Sequence, residues 1–332
     1  MKQRKILVTG GAGFIGGNFI HEWVDTYPHD QIFNLDALTY AGELNKHEYL
    51  KNNRNYSFIH MDITKAEAIS ELFQKKQFDY VIHFAAETHV DRSIIASQSF
   101  LKTNVFGTQS LLEASRAIRV KKFVHISTDE VYGDLDVHST DFFTEQSPIQ
   151  PNNPYSASKA SSDLIVRAYH QTYGLPVNIV RLSNNFGPFQ FPEKLIPLTI
   201  IRLLNDEKVP VYGDGKNVRD WLYVSDTVKA IDLVFHKGIP GEIYNVSANN
   251  GKRNIDVVRT ILRELGKTER SVEYVKDRPR HDRKYAMDAS KIRGLGWKPE
   301  TSFEQGMKQT IEWYRKNTSW WQQLLKEEFG IL

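Results

Sequence analysis

Cysteine is absent from this chain of 332 residues. Its absence excludes disulfides, thiolate zinc sites, iron–sulfur clusters and cysteine nucleophiles, and it agrees with a reducing compartment. Long apolar runs are absent as well. The basic start of the chain is followed only by the short run from Ile6 to Val8, and no stretch approaches the roughly 18 apolar residues that span a bilayer. We therefore expect no export signal, no membrane contact and a cytoplasmic location.

An excess of charge of one sign is also missing. Forty-three Lys and Arg residues stand against 40 Asp and Glu residues, and the net charge of +3 does not indicate a nucleic-acid-binding face. The 11 His residues show neither His-x-x-x-His nor His-Glu-x-x-His spacing, which argues against a dedicated metal site. We expect neither a nucleic-acid partner nor a bound metal.

The residues that are present suit a folded α/β protein. Hydrophobic residues make up 40% of the chain, which is enough for a sizeable core. In the first half, short β-branched or aromatic runs alternate with amphipathic stretches, which predicts a doubly wound parallel sheet. The predicted strands are Ile6–Thr9, Ile32–Leu35, Tyr56–His60, Tyr80–Phe84, Phe123–Ser127 and Val177–Arg181. The predicted helices are Phe14–Thr26, Ala66–Lys76, Ser99–Ala117 and Tyr155–Tyr173.

Beyond about residue 185, Pro and Gly residues break the pattern into shorter elements. This change predicts a dinucleotide-binding domain over residues 1–185 and a smaller C-terminal α/β lobe over residues 186–332, with segments that can interleave. In the lobe we predict helices at Asp226–His236, Asn254–Leu265 and Phe303–Asn317, and strands at Gly241–Val246 and Val272–Val275. Trp320 and Trp321 are interpreted as packing residues.

A glycine-rich turn directly follows the first predicted strand. Gly10 allows a tight turn, Gly13 lets backbone N–H groups approach a pyrophosphate, and Gly16 lets the helix lie close to the sheet. An ordinary flexible turn is the alternative. Asp36, however, ends the second strand 20 residues after Gly16 (36 − 16), where a carboxylate accepts the ribose hydroxyls. Since that carboxylate would repel a 2′-phosphate and no Arg follows at Ala37-Leu38, the pattern favours NAD over NADP.

Two further pairs follow predicted strands at the same edge of the sheet. Asp62-Ile63 can reach an adenine, although a helix N-cap explains Asp62 equally well. Ala85-Ala86 are small enough for close approach of a cofactor, and they are equally compatible with simple packing.

Tyr155 and Lys159 stand four residues apart at a helix start and share one helical face. An ammonium beside a phenol lowers the pKa of the phenol, so that Tyr155 could take a proton from a substrate hydroxyl while hydride leaves the adjoining carbon. A surface pair on a helix is the alternative. In combination with the glycine-rich turn, the spacing favours a redox site.

Thr128, Asp129 and Glu130 end the fifth predicted strand, at the sheet edge where ligands of such folds bind. Plain dehydrogenation does not require two acids. The pKa values of adjacent carboxylates tend to separate, leaving one as a base and the other as an acid, which suits the elimination of water. A capped loop, in which the carboxylates bind only backbone N–H groups, is the alternative.

Together these motifs resemble the extended short-chain dehydrogenase/reductase family, and within it the dTDP-glucose 4,6-dehydratases. The resemblance covers essentially the whole chain. Its motifs are Thr9–Gly16, Asp36–Gly42, Ala85–Ser93, Thr128–Gly133, Tyr155–Lys159, Ser183–Pro188, Phe191–Pro197, Arg219–Leu222, Tyr244–Val246 and His281–Tyr285.

The resemblance implies an NAD-dependent lyase with a Rossmann fold. Its reaction would oxidise C4 of dTDP-glucose, eliminate water across C5 and C6 and return hydride to C6, giving dTDP-4-keto-6-deoxyglucose. Tyr155, tuned by Lys159, would take the O4 proton, and Thr128 would hydrogen-bond O4. Glu130 would remove H5, and Asp129 would protonate the departing 6-hydroxyl.

The resemblance also implies binding residues and a homodimer formed through helices that flank the sheet. Ser99–Ala117 and Tyr155–Tyr173 could supply that surface, and ordinary core packing is the equal alternative for either helix. The cofactor residues, besides Tyr155 and Lys159, are Gly10, Gly13, Phe14, Ile15, Gly16, Asp36, Leu38, Thr39, Asp62, Ile63, Ala85, Ala86, Thr103 and Asn185. The nucleotide-sugar residues are Thr88, Asn184, Lys194, Leu195, Tyr212, Arg219, Asn245, Asp277 and His281.

Arginines and departures from the family pattern bear on specificity. Arg219 and the cluster Arg278–Arg283 suit a diphosphate, although a solvated basic loop is the alternative for the cluster. Arg280 stands where the family pattern resembles Gly, so we expect a change in loop geometry or in nucleotide contact. Thr88 replaces a common Ser, and Leu182 and Phe186 stand where Cys and Tyr are common.

Other activities share this machinery. A dehydratase or 4-epimerase acting on a UDP-, CDP- or GDP-hexose would use the same fold and the same Tyr/Lys pair. The carboxylate pair argues against an epimerase, which needs no acid and base at C5 and C6. A dinucleotide-sensing binding protein without turnover would have no need of Thr128, Tyr155 and Lys159.

Overall fold

The bounds of the secondary structure come from a computed structural model, which describes residues 3–329. The strands are β1 (Lys5–Thr9), β2 (Gln31–Asp36), β3 (Tyr56–His60), β4 (Tyr80–His83), β5 (Lys122–Thr128), β6 (Val177–Leu182), β7 (Asn184–Phe186), β8 (Val209–Tyr212), β9 (Val218–Tyr223), β10 (Ile243–Val246), β11 (Gly251–Arg253) and β12 (Val272–Val275).

The α-helices are α1 (Phe14–Thr26), α2 (Ala66–Lys76), α3 (Val90–Ile95), α4 (Ser97–Phe100), α5 (Thr108–Ile118), α6 (Pro154–Tyr173), α7 (Leu195–Leu204), α8 (Val224–Lys237), α9 (Asn254–Glu264), α10 (Ser290–Gly294), α11 (Phe303–Lys316) and α12 (Thr318–Phe329). Short 3-10 helices cover Asn45–Leu50, Asp129–Tyr132 and Glu269–Ser271. Among the helices of residues 3–329, none has the length and apolar character needed to cross a membrane.

The main sheet has seven parallel strands within the described residues, in the order β10-β6-β5-β4-β1-β2-β3. The strand order reverses direction at β1, which pairs with β2 on one side and β4 on the other. This arrangement confirms the predicted doubly wound fold. In such a sheet the carboxyl ends of the strands beside the reversal form the ligand-binding crevice.

Two apolar layers enclose the sheet, and β1 shows why its sequence suits this position. Ile6 and Val8 are buried on one face with Phe19 and Trp23 of α1. Leu7 is buried on the other face, in the core that contains Phe73 of α2 and residues of α5 and α6. Because successive side chains of a strand alternate between faces, a continuous apolar run is what a strand covered on both sides requires.

The second half of the chain forms a smaller lobe and also returns to the main sheet. Small sheets with the orders β11-β9-β7 and β12-β8 pack with α7, α9 and α11 around a separate core. Strand β10 pairs with β6, so the last strand of the main sheet comes from beyond residue 186. The elements of this part of the chain that the sequence patterns did not predict are β7, β8, β9, β11, α7, α10 and α12.

The predicted helix Ser99–Ala117 differs from the observed structure. The chain forms α4, a π-helical segment at Leu101–Gly107 and α5 in succession. The two C-terminal tryptophans do pack, as predicted: Trp321 is buried in the core of the second lobe. The Nε1 of Trp320 donates a hydrogen bond to Oε2 of Glu43 over 2.8 Å.

Candidate active site

A cleft of about 350 Å³ lies at the carboxyl ends of the main-sheet strands. It brings together most of the residues that the sequence analysis singled out. The predicted residues that line it are Gly10, Gly13, Phe14, Ile15, Gly16, Asp36, Thr39, Asp62, Ile63, Ala85, Ala86, Thr88, Thr103, Thr128, Asp129, Glu130, Tyr155, Lys159, Asn184, Asn185 and Lys194. Residues from distant parts of the chain thus form one site.

The glycine-rich turn needs glycine for two distinct reasons. Gly10 has φ of +74°, and a Cβ built there would lie 2.5 Å from the backbone N of Ala85. A Cβ at Gly16 would lie 2.4 Å from the carbonyl oxygen of Gly10. Only glycine therefore allows the turn to pack against both the end of β4 and the start of α1.

Two side chains that were not predicted from the sequence bind the carbonyl oxygens of this turn. Nζ of Lys46 donates hydrogen bonds to the carbonyl oxygens of Ala12 and Gly13, over 2.7 Å and 3.0 Å. Nε2 of His47 lies 2.7 Å from the carbonyl oxygen of Gly11 and donates to it, since a carbonyl only accepts. Both come from the 3-10 helix Asn45–Leu50. No sequence motif marks them, because the contact depends on the folding of the loop after β2.

Asp36 lies at the end of β2 and orients the same turn. Its Oδ2 accepts a hydrogen bond from the backbone N of Ala12 over 3.0 Å, and its Oδ1 accepts from the backbone N of Leu38 over 2.8 Å. Burial raises the pKa of this carboxyl, and those two backbone bonds oppose the rise. Leu38 itself does not line the cleft and contributes only its backbone.

These residues fit a dinucleotide. Each oxygen of Asp36 has a lone pair left for a ribose hydroxyl, beside a turn in which a Cβ at Gly13 would lie 3.1 Å from the carbonyl oxygen of Gly10. The hydroxyl of Ser127 in the same cleft is buried and has no hydrogen-bond partner among the described residues. A ligand in the cleft can therefore come close to the backbone of the turn and can hydrogen-bond polar atoms that have no partner among the described residues.

Tyr155 and Lys159 lie in the first turns of α6, at the inner wall of the cleft. Asn153 caps this helix: its Oδ1 accepts from the backbone N of Ser156 over 2.9 Å, while Oγ of Ser156 accepts from the backbone N of Asn153 over 3.3 Å. Together with Pro154 at the first helical position, this capping box fixes where Tyr155 enters the cleft.

The pKa of Tyr155 is shifted in the direction opposite to the prediction. Burial and the neighbouring Glu130 raise the pKa of this phenol well above its ordinary value, and a hydrogen bond with Thr128 opposes the rise. Nζ of Lys159 donates to the carbonyl oxygen of Ile126 over 2.7 Å, and burial lowers the pKa of Lys159 to about 8. The amine is thus anchored to β5.

The adjacent carboxylates differ in their surroundings, as predicted. Burial and then the charge of Glu130 raise the pKa of Asp129 well above its usual range. Burial also raises the pKa of Glu130, but the cations Arg219 and Arg278 oppose that rise. Asp129 is only 3% exposed and accepts a hydrogen bond at Oδ1 from the hydroxyl of Thr128 over 3.2 Å. Asp129 is therefore the residue of the pair that tends to be protonated.

The predicted nucleotide-sugar residues fall into two groups. Thr88, Asn184 and Lys194 line the cleft, whereas Leu195, Tyr212, Arg219, Asn245, Asp277 and His281 do not.

Arg219 and its neighbours lie close to the carboxylate pair, although outside the lining of the cleft. The guanidinium of Arg219 donates to the carbonyl oxygen of Asp282 over 2.8 Å and lies 4.1 Å from the centre of the Tyr285 ring. Its charge acts on both Asp129 and Glu130. The position suits a cation that meets an anionic substrate beside the acids.

A second polar group lies around the loop after β12. Nδ1 of His281 is 2.6 Å from Oδ1 of Asp277, and the His281 ring lies 6.3 Å from the ring of Tyr212. The guanidinium of Arg278 lies 3.3 Å from Oδ1 of Asp91. Three of the predicted substrate residues therefore do come together, at one end of the smaller lobe.

Asn245 binds Tyr132 and Phe143 and does not line the cleft. It is fully buried in β10, where its Oδ1 accepts from the hydroxyl of Tyr132 over 2.7 Å and its Nδ2 donates to the carbonyl oxygen of Phe143 over 3.2 Å. Asn254, which the sequence analysis treated only as a helix start, has a buried Oδ1 without a partner among the described residues. It follows β11, whose Lys252 pairs with Arg219 of β9.

The loop of the cluster Arg278–Arg283 keeps a left-handed residue in place of glycine. Arg280 is exposed and has φ of +50°. This left-handed backbone conformation is one that glycine adopts more readily than arginine. Arg283 pairs with Asp214 over 3.2 Å on the surface.

One more cluster of polar and aromatic side chains was not predicted from the sequence. The hydroxyl of Tyr40 donates to Oε1 of Glu193 over 3.0 Å, and Nε2 of His89 lies 3.4 Å from the other oxygen of Glu193. The guanidinium of Arg92 lies 3.8 Å from the centre of the Tyr40 ring. The cluster joins the loop after β2 to the segment before α7, across the mouth of the cleft. Only the tertiary structure brings these residues together.

Known proteins share this chain's sequence and fold. The family described as GDP-mannose 4,6 dehydratase matches residues 7–310. A dTDP-glucose 4,6-dehydratase of Escherichia coli is 47% identical, with 98% of each chain covered. One from Xanthomonas campestris pv. campestris is 52% identical, with 98% of this chain and 97% of the relative covered.

Solved structures agree with these relatives. The dTDP-glucose 4,6-dehydratase of Bacillus anthracis in complex with NAD is 48% identical, with a TM-score of 0.90 over 97% of this chain and 99% of that one. The Streptomyces venezuelae enzyme with NAD and TYD bound is 45% identical, with a TM-score of 0.93 over 96% of this chain and 99% of that one. A UDP-glucose 4-epimerase of Thermotoga maritima is more distant, at 32% identity and a TM-score of 0.87 over 95% of this chain and 99% of that one. With its cleft, its carboxylate pair and these relatives, the chain belongs to the dTDP-glucose 4,6-dehydratase family of extended short-chain dehydrogenases/reductases.

Proposed function

We propose that this protein is an NAD-dependent lyase that converts dTDP-glucose to dTDP-4-keto-6-deoxyglucose. The observation that carries the proposal is the carboxylate pair of the buried Asp129 and the half-buried Glu130, in the same cleft as Tyr155 and Lys159. A tyrosine and a lysine suffice to make a ketone. An added acid and base are what the elimination of water requires.

The first step uses Tyr155 as the base. NAD+ bound in the cleft would supply the chemistry of accepting hydride from C4 of the sugar and returning it to C6. Tyr155 takes the O4 proton, and the hydroxyl of Thr128 hydrogen-bonds O4. Lys159, held on the carbonyl oxygen of Ile126, places a positive charge in this part of the site.

The second step uses the two carboxyl groups in different protonation states. The C4 ketone acidifies H5, so Glu130 removes that proton as Asp129 protonates the departing 6-hydroxyl. The roles follow from the surroundings. Asp129, whose pKa burial and the charge of Glu130 raise well above the usual range, is the acid. Arg219 and Arg278 oppose the rise in the pKa of Glu130, which serves as the base.

Binding is divided between the two parts of the chain. We assign the cofactor to the domain of residues 1–185 and most nucleotide-sugar contacts to residues 186–332, with β10 completing the first sheet. The sugar would meet Thr88, Asn184 and Lys194, which line the cleft, and Arg219 would meet the diphosphate. Leu195, Tyr212, Asn245, Asp277 and His281 would supply further nucleotide-sugar contacts beyond the cleft.

A homodimer is part of the proposal. Apolar side chains lie exposed on the neighbouring π-helical segment and α6, where Phe106 is 60% exposed and Leu164 is 54% exposed, together with Leu101 and Tyr173. Water-exposed apolar side chains in one patch favour a protein partner, and a second copy presents the same patch. We place the enzyme in the cytoplasm, where nucleotide sugars and NAD are available.

The decisive experiment is incubation of the purified protein with dTDP-glucose without added reductant. Loss of one water from the sugar, with no net change in cofactor absorbance, is the expected result. A product of unchanged mass but altered stereochemistry would identify an epimerase instead. The same assay with UDP-, CDP- and GDP-hexoses measures nucleotide specificity, and no turnover on any of them would contradict an enzymatic role.

A further inference from the structure

After one proposed turnover, two residues differ from their starting protonation states. Tyr155 gains the O4 proton, and Asp129 loses a proton to the departing 6-hydroxyl. Glu130 takes H5 and gives a proton back to C5, so it ends unchanged. The hydride from C4 ends on C6, so the electrons balance within the sugar. Each turnover therefore ends with one proton too many on Tyr155 and one too few on Asp129.

Resetting the site requires a path for that proton, and burial limits exchange with bulk water. Tyr155 is 8% exposed and Asp129 is 3% exposed. The hydroxyl of Thr128 donates to Oδ1 of Asp129 over 3.2 Å, and its hydrogen bond with the phenol acts on the pKa of Tyr155. A hydroxyl both donates and accepts, so it can pass a proton on without changing its own state.

We propose that Thr128 returns the proton from Tyr155 to Asp129 in each catalytic cycle. The Thr128 hydroxyl gives its proton to the Asp129 carboxylate as it receives the proton of the phenol. One O–H bond breaks and one forms at each transfer, and no outside proton donor is consumed. The proposal rests on the proposed function, because only the dehydration creates this imbalance.

The surroundings of Asp129 favour the receiving end of the transfer, while burial and the charge of Glu130 also raise the pKa of Tyr155 at the other end. Moving a proton from a phenol to a carboxylate costs free energy in proportion to the difference between their pKa values. Because burial raises the pKa of Asp129 well above its usual range, the carboxylate end of the path is more basic than an exposed aspartate. The same shift leaves Asp129 protonated at the start, ready for a first turnover.

The test compares Thr128→Val with Thr128→Ser in the NAD-loaded enzyme. Valine keeps the shape and removes the hydroxyl. Serine keeps the hydroxyl, including its acceptance of the backbone N–H of Glu130 over 3.3 Å. Dehydrated sugar per active site is followed by rapid quench with dTDP-glucose, at several imidazole concentrations at constant pH. Imidazole serves as a small proton carrier.

We expect Thr128→Val to form about one equivalent of product and then to slow about 100-fold relative to the unaltered enzyme, with a steady rate that rises with imidazole concentration. Thr128→Ser should sustain turnover without imidazole. If Thr128→Val instead slows the first and later turnovers equally, or changes neither, the relay is wrong and Thr128 acts at most on O4. A failure of the unaltered enzyme to form any first-turnover product contradicts the proposed function itself, together with the relay.

Discussion

At the scale of single residues, burial sets the charge of the groups that do the chemistry. Asp129 and Glu130 are neighbours in the chain, yet the cations Arg219 and Arg278 act against the pKa rise of Glu130. Burial raises the pKa of both carboxyls, and the charge of Glu130 adds to the rise at Asp129, which supports the proposed roles of Asp129 as the acid and Glu130 as the base. The division depends on side chains far away in the sequence, so it could not be assigned from the motif alone.

Glu130→Gln tests this division. The variant retains Tyr155 and Lys159, so we expect it to oxidise C4 while dehydration falls by at least about 100-fold, because only the C5 base is lost. Cofactor absorbance measures the first step and product mass measures the second. As a matched control, Tyr155→Phe should slow the first step instead. Full dehydration by Glu130→Gln would remove Glu130 from the mechanism.

Lys46 gives a prediction about pH and stability. Burial lowers the pKa of Lys46 to about 8 from 10.5, so between these values the unfolded chain binds more protons than the folded one. The free energy of unfolding should therefore rise with pH from about 8 towards 10, by on the order of 3 kcal/mol from this residue.

The measurement is denaturant unfolding at pH 8 and pH 10 for the unaltered protein and for Lys46→Met. The methionine variant should be less stable, because the carbonyl oxygens of Ala12 and Gly13 lose their donor. Its stability should also rise less steeply over this pH range. Equal slopes for the two proteins would show that Lys46 does not titrate there.

At the scale of elements, the ends of helices and strands hold the proposed catalytic groups in place. Tyr155 follows a capping box on α6, and Thr128 to Glu130 occupy the end of β5 and the turn after it. Sequence patterns predicted α6 to within one residue at its start, because the cap and the helix are local. They missed β7, β8, β9 and β11, which are short and depend on pairing with distant partners.

Asn153→Ala tests the cap of α6. Loss of the cap should cost about 1 kcal/mol of stability and also lower activity, because the cap fixes the turn that carries Tyr155. Ser302 provides a matched control, since it caps α11 by accepting from the backbone N of Gln305 over 3.2 Å, away from the cleft. Ser302→Ala should lose similar stability but keep the kcat. Equal kcat values for both variants would show that the α6 cap is only structural.

At the scale of the whole molecule, different parts of the structure contribute different features: the main sheet, the smaller lobe and the exposed apolar patch. The main sheet gathers the cofactor side of the cleft, and the smaller lobe gathers Arg219, Tyr212 and His281 beside it. The cluster of Tyr40 and Glu193 links the two across the mouth of the cleft. The exposed patch lies on the helical layer instead, where it leaves the cleft free.

Phe106→Glu combined with Leu164→Glu tests the dimer. Charges in the patch should convert the protein to monomers, because burying them in an interface is costly. Light scattering after size exclusion measures the mass. Ile239→Glu is the control, since Ile239 is also exposed, at 61%, but lies elsewhere on the surface. An unchanged dimer in the double variant would place the interface on another face, and a monomer in the unaltered protein would exclude the dimer.

The local features of this protein could be predicted from its sequence: the glycine-rich turn between β1 and α1, the acid at the end of β2, and the spacing of Tyr155 and Lys159 on one helix. In each case the residues that define the feature are neighbours in the chain. Only the tertiary structure decided that Lys46 and His47 fix the turn, that β10 completes the first sheet, and that Asn245 is buried away from the cleft. It also decided the direction of the Tyr155 pKa, because burial and long-range charges depend on which distant residues the fold brings together.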